Sequence, residues 1–412
     1  MNDSGFKKYR VMIVEDSSLI RGYLIRALQN DPQIEICGVA ENGRIAVDKV
    51  KLYNPEIILL DVEMPVMDGI TALPLLVGAC PEAKIIMIST LTAKNAAISI
   101  EAMSKGASDY LEKPSAETDK TLFKTELIQK IKAIALSIRK VGEKYTKDDE
   151  FGFLKAENKL QVPPQLNKVS VSAEKTPPEK NHNTIIKDGH RQTAYVPVLP
   201  PASATPAVFT NDDNRFAGFK PDILAIGSST GGPNVLHEVF KQIGNSLGHI
   251  PTFITQHMPP KFTTFLAQSI ATTSGMRCTE PQDGQKVEKG WIYIAPGDYH
   301  MLVEPKGVDK IIRLTKGEPE NFCRPSVDPM LRSLVNTYGK NILTVIMTGM
   351  GSDGKLGAKL VHEKGGKVII QDEASSVVWG MPGAIAKEGF QDGIYSSYDI
   401  AKQIIKICRR DL

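Results

Sequence analysis

A chain of 412 residues exceeds what one hydrophobic core usually supports, so two domains are expected, each large enough to bury a sizeable core. The net charge of +3, with both signs mixed along the chain, argues against nucleic acid or a membrane surface as partner. Five cysteines without a C-x-x-C pair argue against a disulfide framework and a zinc knuckle.

No run approaches the roughly 20 apolar residues of a membrane span, and the polar start Met1-Asn2-Asp3-Ser4-Gly5 precedes no signal-type apolar core. A cytoplasmic protein with reduced thiols and no direct membrane insertion is therefore expected.

From residue 9 onward, short apolar runs alternate with amphipathic stretches: 11–14 then 19–28, 34–39 then 45–52, 57–60 then 70–77, 85–88 then 96–103, and 109–112 before a helix-like stretch from Leu122. Five such units predict a doubly wound five-stranded parallel sheet with its ligand at the carboxyl ends of the strands. Glu15 and Asp16 follow the first strand, Asp61 ends the third, Ser89 and Thr90 end the fourth, and Lys113-Pro114 follows the fifth. Three carboxylates in one crevice repel one another unless a cation neutralises them, and a few oxygen ligands plus water suit Mg2+. Glu15, Asp16 and Asp61 are the metal candidates and Asp61 the phosphoacceptor. Ser89 and Lys113 supply the hydroxyl and ammonium that a transferred phosphoryl group needs.

The order Glu15-Asp16, Asp61, Met64-Pro65-Val66-Met67-Asp68-Gly69, Ser89-Thr90, Lys113-Pro114 resembles the receiver domain of two-component response regulators. Glu15 stands where relatives often carry Asp, an exchange that keeps the charge. A receiver domain is expected over 8–127.

Past Arg139 the periodicity dissolves into charged and polar residues with Pro163-Pro164, Pro177-Pro178, Pro197, Pro200-Pro201 and Pro206. Such a stretch cannot offset its ordering entropy by burial, so 140–217 reads as a long disordered linker. Its one apolar patch is Tyr195-Val196-Pro197-Val198-Leu199-Pro200, and His182 and His190 have no other ligand types around them.

The second segment, 218–412, opens with the apolar run 223–226 entering Gly227-Ser228-Ser229-Thr230-Gly231-Gly232-Pro233, a G-x-S-x-G match centred on Ser229. The pattern predicts a strand turning sharply into a helix, with Ser229 exposed at the helix N-terminus. Further strands are expected at 252–255, 291–295, 301–303, 342–347 and 367–370, and helices at 262–270 and 327–338. His257 follows the second of this segment's strands, and Asp353 lies in the loop Thr348-Gly349-Met350-Gly351-Ser352-Asp353-Gly354 after 342–347. A Ser, a His and an Asp on one sheet edge match nucleophile, general base and orienter. Their chain order differs from the Ser, Asp, His of α/β-hydrolases, so that fold is not implied. Candidate oxyanion donors are the backbone N–H groups of Thr230, Gly231 and Met350. Arg324 is read either as a substrate contact or as a structural ion pair.

The blocks around Ser229 and His257, with Tyr293-Ile294-Ala295-Pro296-Gly297-Asp298, Arg324-Pro325-Ser326-Val327-Asp328, the Asp353 loop and Trp379-Gly380-Met381-Pro382-Gly383, resemble the catalytic domain of the CheB family. The resemblance implies an α/β, Rossmann-like esterase domain with a mainly parallel sheet, acting as a chemotaxis protein-glutamate methylesterase and glutamine deamidase. It implies methyl-accepting chemoreceptors as substrate, a chemotaxis histidine kinase as phosphodonor, Mg2+ in the receiver domain and no cofactor in the catalytic domain. A monomer is expected, with the unphosphorylated receiver covering the active-site edge. A phosphate-binding module, a non-enzymatic scaffold and a DNA-binding regulator are the rival readings. The first lacks G-x-G-x-x-G spacing and a P-loop Lys, and the last lacks a basic helix-turn-helix after the receiver.

Overall fold

The computed structural model describes residues 7–90, 92–114, 120–140 and 211–409. Residues 141–210 of the expected linker, with His182, His190 and the apolar patch at 195–200, lie outside the described residues.

The first sheet contains β1 (Tyr9–Val14), β2 (Ile34–Ala40), β3 (Ile57–Asp61), β4 (Lys84–Ser89) and β5 (Asp109–Glu112), all parallel, in the order β2-β1-β3-β4-β5. The helices between and after them are α1 (Ser18–Leu28), α2 (Gly43–Tyr53), α3 (Gly69–Ala79), α4 (Ala93–Ser104) and α5 (Lys120–Lys140). Every residue of β3 is buried, as a central strand covered on both faces requires. Ser17, Asn42, Asp68 and Thr92 each accept a backbone N–H at the start of a helix, which fixes where α1 to α4 begin. Strand order reverses between β1 and β3, so the residues after β1 and at the end of β3 flank one crevice. Gly69 is required there because a Cβ would collide with the carbonyl oxygen of Asp61.

The second sheet has seven parallel strands in the order β14-β13-β12-β6-β7-β9-β8. These are β6 (Ile223–Ser228), β7 (Thr252–Gln256), β8 (Arg277–Thr279), β9 (Trp291–Ile294), β12 (Ile342–Ile346), β13 (Lys367–Gln371) and β14 (Gly393–Tyr395). Around it run α6 (Gly232–Ile243), α7 (Phe262–Ser274), α8 (Val327–Tyr338), α9 (Lys355–Glu363), α10 (Gly380–Ala386) and α11 (Ser397–Cys408). At the start of this segment Asn211 exchanges two hydrogen bonds with the backbone of Ile394, at 2.6 and 2.9 Å. Among the described residues no helix is long and apolar enough to cross a membrane.

One expected strand is placed differently. Residues 301–303 belong to β10 (His300–Lys306), which leaves the parallel sheet and pairs antiparallel with β11 (Asp309–Thr315). The ribbon lies against α8, where Ser333 and Thr337 hydrogen-bond the backbone of Val303 at 3.0 and 2.9 Å. The short turn at Gly307 permits only the antiparallel return.

Candidate functional site

In the first sheet Glu15 and Asp61 are 1 and 2 % exposed, and Lys113 Nζ reaches Glu15 Oε2 at 2.9 Å and Asp61 Oδ2 at 2.8 Å. Ligand atoms of Glu15, Asp16 and Asp61 lie within 4.8 Å of one another. Burial, then the Asp61 charge, raises Glu15 above its usual range, and burial raises Asp61 although Lys113 pulls it down. One ammonium thus leaves three carboxylates under-neutralised, so the donor set fits a hard divalent cation such as Mg2+. A cleft of about 480 Å³ lined by Asp16, Glu63, Met64 and Asp68 opens beside them. Ser89 is buried, and its hydroxyl lies 3.2 Å from that of Ser99.

In the second sheet β12, β6 and β7 are neighbours, which sets Asp353, Ser229 and His257 at the carboxyl ends of three adjacent strands. The turn after β6 is held by Gln256, only 1 % exposed, whose Oε1 accepts from Ser228 Oγ at 2.7 Å and whose Nε2 donates to the Ser229 carbonyl at 2.9 Å. The loop after β12 closes on this turn. Ser229 N donates to Thr348 O at 3.0 Å, and a Cβ on Gly349 would lie 2.9 Å from that of Ser229. The N–H groups of Thr230, Gly231 and Met350 have no acceptor among the described residues, so they remain available to a ligand oxygen.

His257 Nε2 lies 2.7 Å from Asp353 Oδ2. Asp353 is 1 % exposed and also accepts from Val327 N at 2.6 Å, Ser326 Oγ at 2.7 Å and Asn321 Nδ2 at 2.9 Å. Burial alone would push its carboxyl up, but His257, Val327 N and Ser326 Oγ hold it down at about 2. The other ring nitrogen of His257, Nδ1, faces Cys323 Sγ at 3.4 Å. No hydrogen bond joins His257 to the Ser229 hydroxyl among the described residues.

Nothing in the sequence pattern singles out Cys323 beyond a reduced thiol, or gives Gln256 or Asn321 a role. Gln256, the last residue of β7, directly precedes His257, so its position was a usable signal. Arg324 forms an ion pair with Asp298 at 2.6 Å, which is the structural one of its two readings. His249 and His300 are tied to backbone carbonyls, and His237 to Ser269.

Burial pulls the His257 imidazole down, but Cys323 and Asp353 outweigh it and hold the ring up at about 10. A raised histidine stabilises the fold fully below its unfolded value of 6.5, and that contribution is lost as pH rises through about 10. Unfolding free energy is accordingly expected to fall across this window in urea titrations. Cys323→Ala should weaken the fall, because one group favouring the imidazolium is gone. A second expected result concerns Gln256→Ala, which strands the buried Ser228 hydroxyl, while the Ser229 carbonyl keeps the N–H of Gly232. A loss of about 1–3 kcal/mol in urea unfolding follows.

The model of the response regulator receiver domain matches residues 11–123, and that of the CheB methylesterase matches 224–404. The fold and these matches define a response regulator whose output domain is of the methylesterase class. Curated relatives span nearly the whole chain. A protein-glutamate methylesterase/protein-glutamine glutaminase of Paramagnetospirillum magneticum is 42 % identical, covering 97 % of this chain and 96 % of its own. One of Rhodospirillum centenum is 42 % identical over 98 and 95 %, and one of Rhodospirillum rubrum 41 % over 96 and 94 %. The chain belongs to the CheB family of protein-glutamate methylesterases/protein-glutamine glutaminases.

Proposed function

We propose that this chain hydrolyses glutamate γ-methyl esters, and deamidates glutamines, on chemoreceptors during bacterial chemotaxis, under control of phosphorylation at Asp61. The observation that carries the reading is the buried His257–Asp353 pair on the same sheet edge as Ser229. The names of relatives aligned along nearly the full chain supply the substrate class.

In this mechanism His257 leaves Cys323, the first of the groups that favour its imidazolium, gives up the Nδ1 proton, and as the neutral imidazole turns Nδ1 to Ser229 and takes the hydroxyl proton as Ser229 Oγ attacks the ester carbon. Asp353, kept anionic by its donors, supports the imidazolium that forms. The N–H groups of Thr230, Gly231 and Met350 receive the oxyanion. His257 returns its proton to the leaving methoxide, giving methanol. A water, deprotonated by the same ring, then releases glutamate and regenerates Ser229. An amide follows the same path and loses ammonia. These steps use only side chains and backbone of this chain.

In the first sheet Glu15, Asp16 and Asp61 would hold Mg2+, which supplies charge neutralisation for a phosphoryl group on Asp61. Lys113 supplies a second positive charge beside the same oxygens. A chemotaxis histidine kinase is the phosphodonor that this reading requires.

Two contacts support restraint of the esterase by the receiver. Asn234 Nδ2, in the first turn of α6 just after Ser229, donates to Ala107 O at 2.7 Å. Tyr110 in β5 stacks on Phe262 at the start of α7, with ring centroids 4.4 Å apart. Both helices leave the edge that carries Ser229 and His257. Phosphorylation acts only by favouring a state in which these contacts are looser. Asn234→Ala removes one hydrogen bond of about 1 kcal/mol from the docked state. Unphosphorylated activity should then rise about fivefold, read as methanol release without phosphodonor.

The reading itself is tested by methanol and ammonia release from methylated receptor membranes by wild type and Ser229→Ala. Loss of both products supports one serine-dependent site. Unchanged release by Ser229→Ala ends the proposal.

A further inference from the structure

Behind the imidazole–carboxylate pair lies a second buried carboxylate with its own set of donors. Asp328, in the first turn of α8, is 1 % exposed. Its Oδ1 accepts from Gly357 N of α9 at 2.6 Å, and its Oδ2 from Asn321 Nδ2 at 3.1 Å. The same amide nitrogen donates to Asp353 Oδ1 at 2.9 Å, and the backbone N–H of Asp328 donates to that oxygen at 3.1 Å. Two carboxylates therefore share one NH2 group, and one of them is the partner of His257.

The arrangement is built rather than incidental. Asn321 and Phe322 both have positive φ, at 52 and 61°, a conformation costly for side chains other than glycine. That turn is what carries the Asn321 amide between the two carboxylates. On the other side α9 approaches through Gly357, where a Cβ would lie 2.6 Å from Leu331 Cβ and 3.2 Å from Asp328 Oδ1.

An isolated structural carboxylate at a helix start would be satisfied by its own first turn. Asp328 instead spends one oxygen on a neighbouring helix and the other on the bridge to Asp353. The charged groups around it are Asp353 from the loop after β12, His257 beyond it, and Arg332 on α8, which is ion-paired to Glu320. Burial and the Asp353 charge hold the Asp328 carboxyl up at about 6, against the pull of Gly357 N–H, Asn321 and Arg332.

We propose that Asp328 is a positioning residue for the reaction: through Asn321 and its own N–H it fixes Asp353 Oδ1, so that Oδ2 faces His257, and its charge supports the imidazolium. The inference rests on the esterase reading above. Asp328 touches no substrate and acts through Asp353. Without the Asp328 carboxylate the Asn321 amide loses the acceptor that aligns it, and Asp353 Oδ1, left to Ser326 Oγ, Gly354 N and Asp328 N, shifts toward those donors; misaligned orienting groups cost about tenfold to a hundredfold in rate. Losing a negative charge near the imidazolium also lowers the pH at which His257 gives up its proton.

The test measures full-chain wild type, Asp328→Asn and Asp328→Ala on methylated receptor membranes, with Ser229→Ala alongside. Asp328→Asn should leave KM unchanged, lower kcat about tenfold or more, and move the acid limb of kcat/KM to lower pH. In wild type, carbon-13 carboxyl NMR with sequential assignment should show the Asp328 carboxyl titrating near 6. A folded Asp328→Asn with wild-type kcat and an unmoved acid limb overturns the inference. So does a wild-type titration in which that carboxyl behaves as an ordinary aspartate, and this arm decides the matter if the variants do not fold. Activity retained by Ser229→Ala would instead fault the esterase reading, while the titration still reports on the Asp328–Asp353 pair.

Discussion

Asp353→Asn is expected to reduce kcat for methanol release about ten-thousand-fold, with little change in KM, the size of effect seen when the orienting carboxylate of a serine hydrolase becomes an amide. The cause is specific to the donors on this side chain. Asp353 is surrounded by N–H and O–H groups from Val327, Ser326, Asn321 and Asp328, all of which donate. An amide NH2 placed among them has to point at another donor. The position left for His257 then presents either a carbonyl without charge or a donor that forces the wrong tautomer. Asp353 is held down at about 2, so its stabilising contribution is present above the unfolded value of 3.8 and lost as pH falls through 2. The amide cannot supply it at any pH. Thermal unfolding measured beside the kinetics separates the two losses: a variant still folded at assay temperature but inactive isolates the catalytic one.

Asp61→Asn is expected to abolish the rise in methanol release that a small phosphodonor produces in wild type, leaving basal release in place. The substitution removes the acceptor oxygen and one of three carboxylates within 4.8 Å. Lys113 retains Glu15 at 2.9 Å, so the cluster loses its reactive member without losing every partner of the lysine. Burial is the first cause that raises both Glu15 and Asp61, and an uncharged amide at 61 removes one buried charge and its repulsion on Glu15, so the variant should be at least as stable as wild type in urea. A phosphodonor response of wild-type size in Asp61→Asn would remove phosphorylation at this position from the account.

The parts of the molecule that were readable from the sequence are those set by local pattern. Buried runs ending in Asp61, Ser228 and Gln256 announce parallel strands. The residues just beyond such ends, Glu15, Ser229 and His257, fall where an α/β sheet presents its ligands. The order of the strands places β12, β6 and β7 together, and no short-range signal carries that adjacency. A strand within β10 is legible, but its partner β11 and their antiparallel pairing are not, because the half-buried positions of the ribbon reflect packing on α8 rather than alternation strong enough to stand alone. Cys323 and Asn321 were unreadable for a related reason. They reach His257 and Asp353 only because the loop before α8 is pinned from outside by Arg324 on Asp298 and Arg332 on Glu320, contacts 26 and 12 residues apart in sequence. Ser89 shows the converse: its place at a strand end is legible, but its present partner, the Ser99 hydroxyl, is not.

The central claim is that Ser229 and His257 act as one unit, although the ring nitrogen that must serve the serine now faces Cys323. A double-mutant cycle addresses it most directly, with kcat for methanol release measured for wild type, Ser229→Ala, His257→Ala and the pair. The account predicts that each single substitution costs about as much as both together, the non-additivity expected of groups that share one step. Losses that multiply, or a single variant that keeps wild-type kcat, would contradict it.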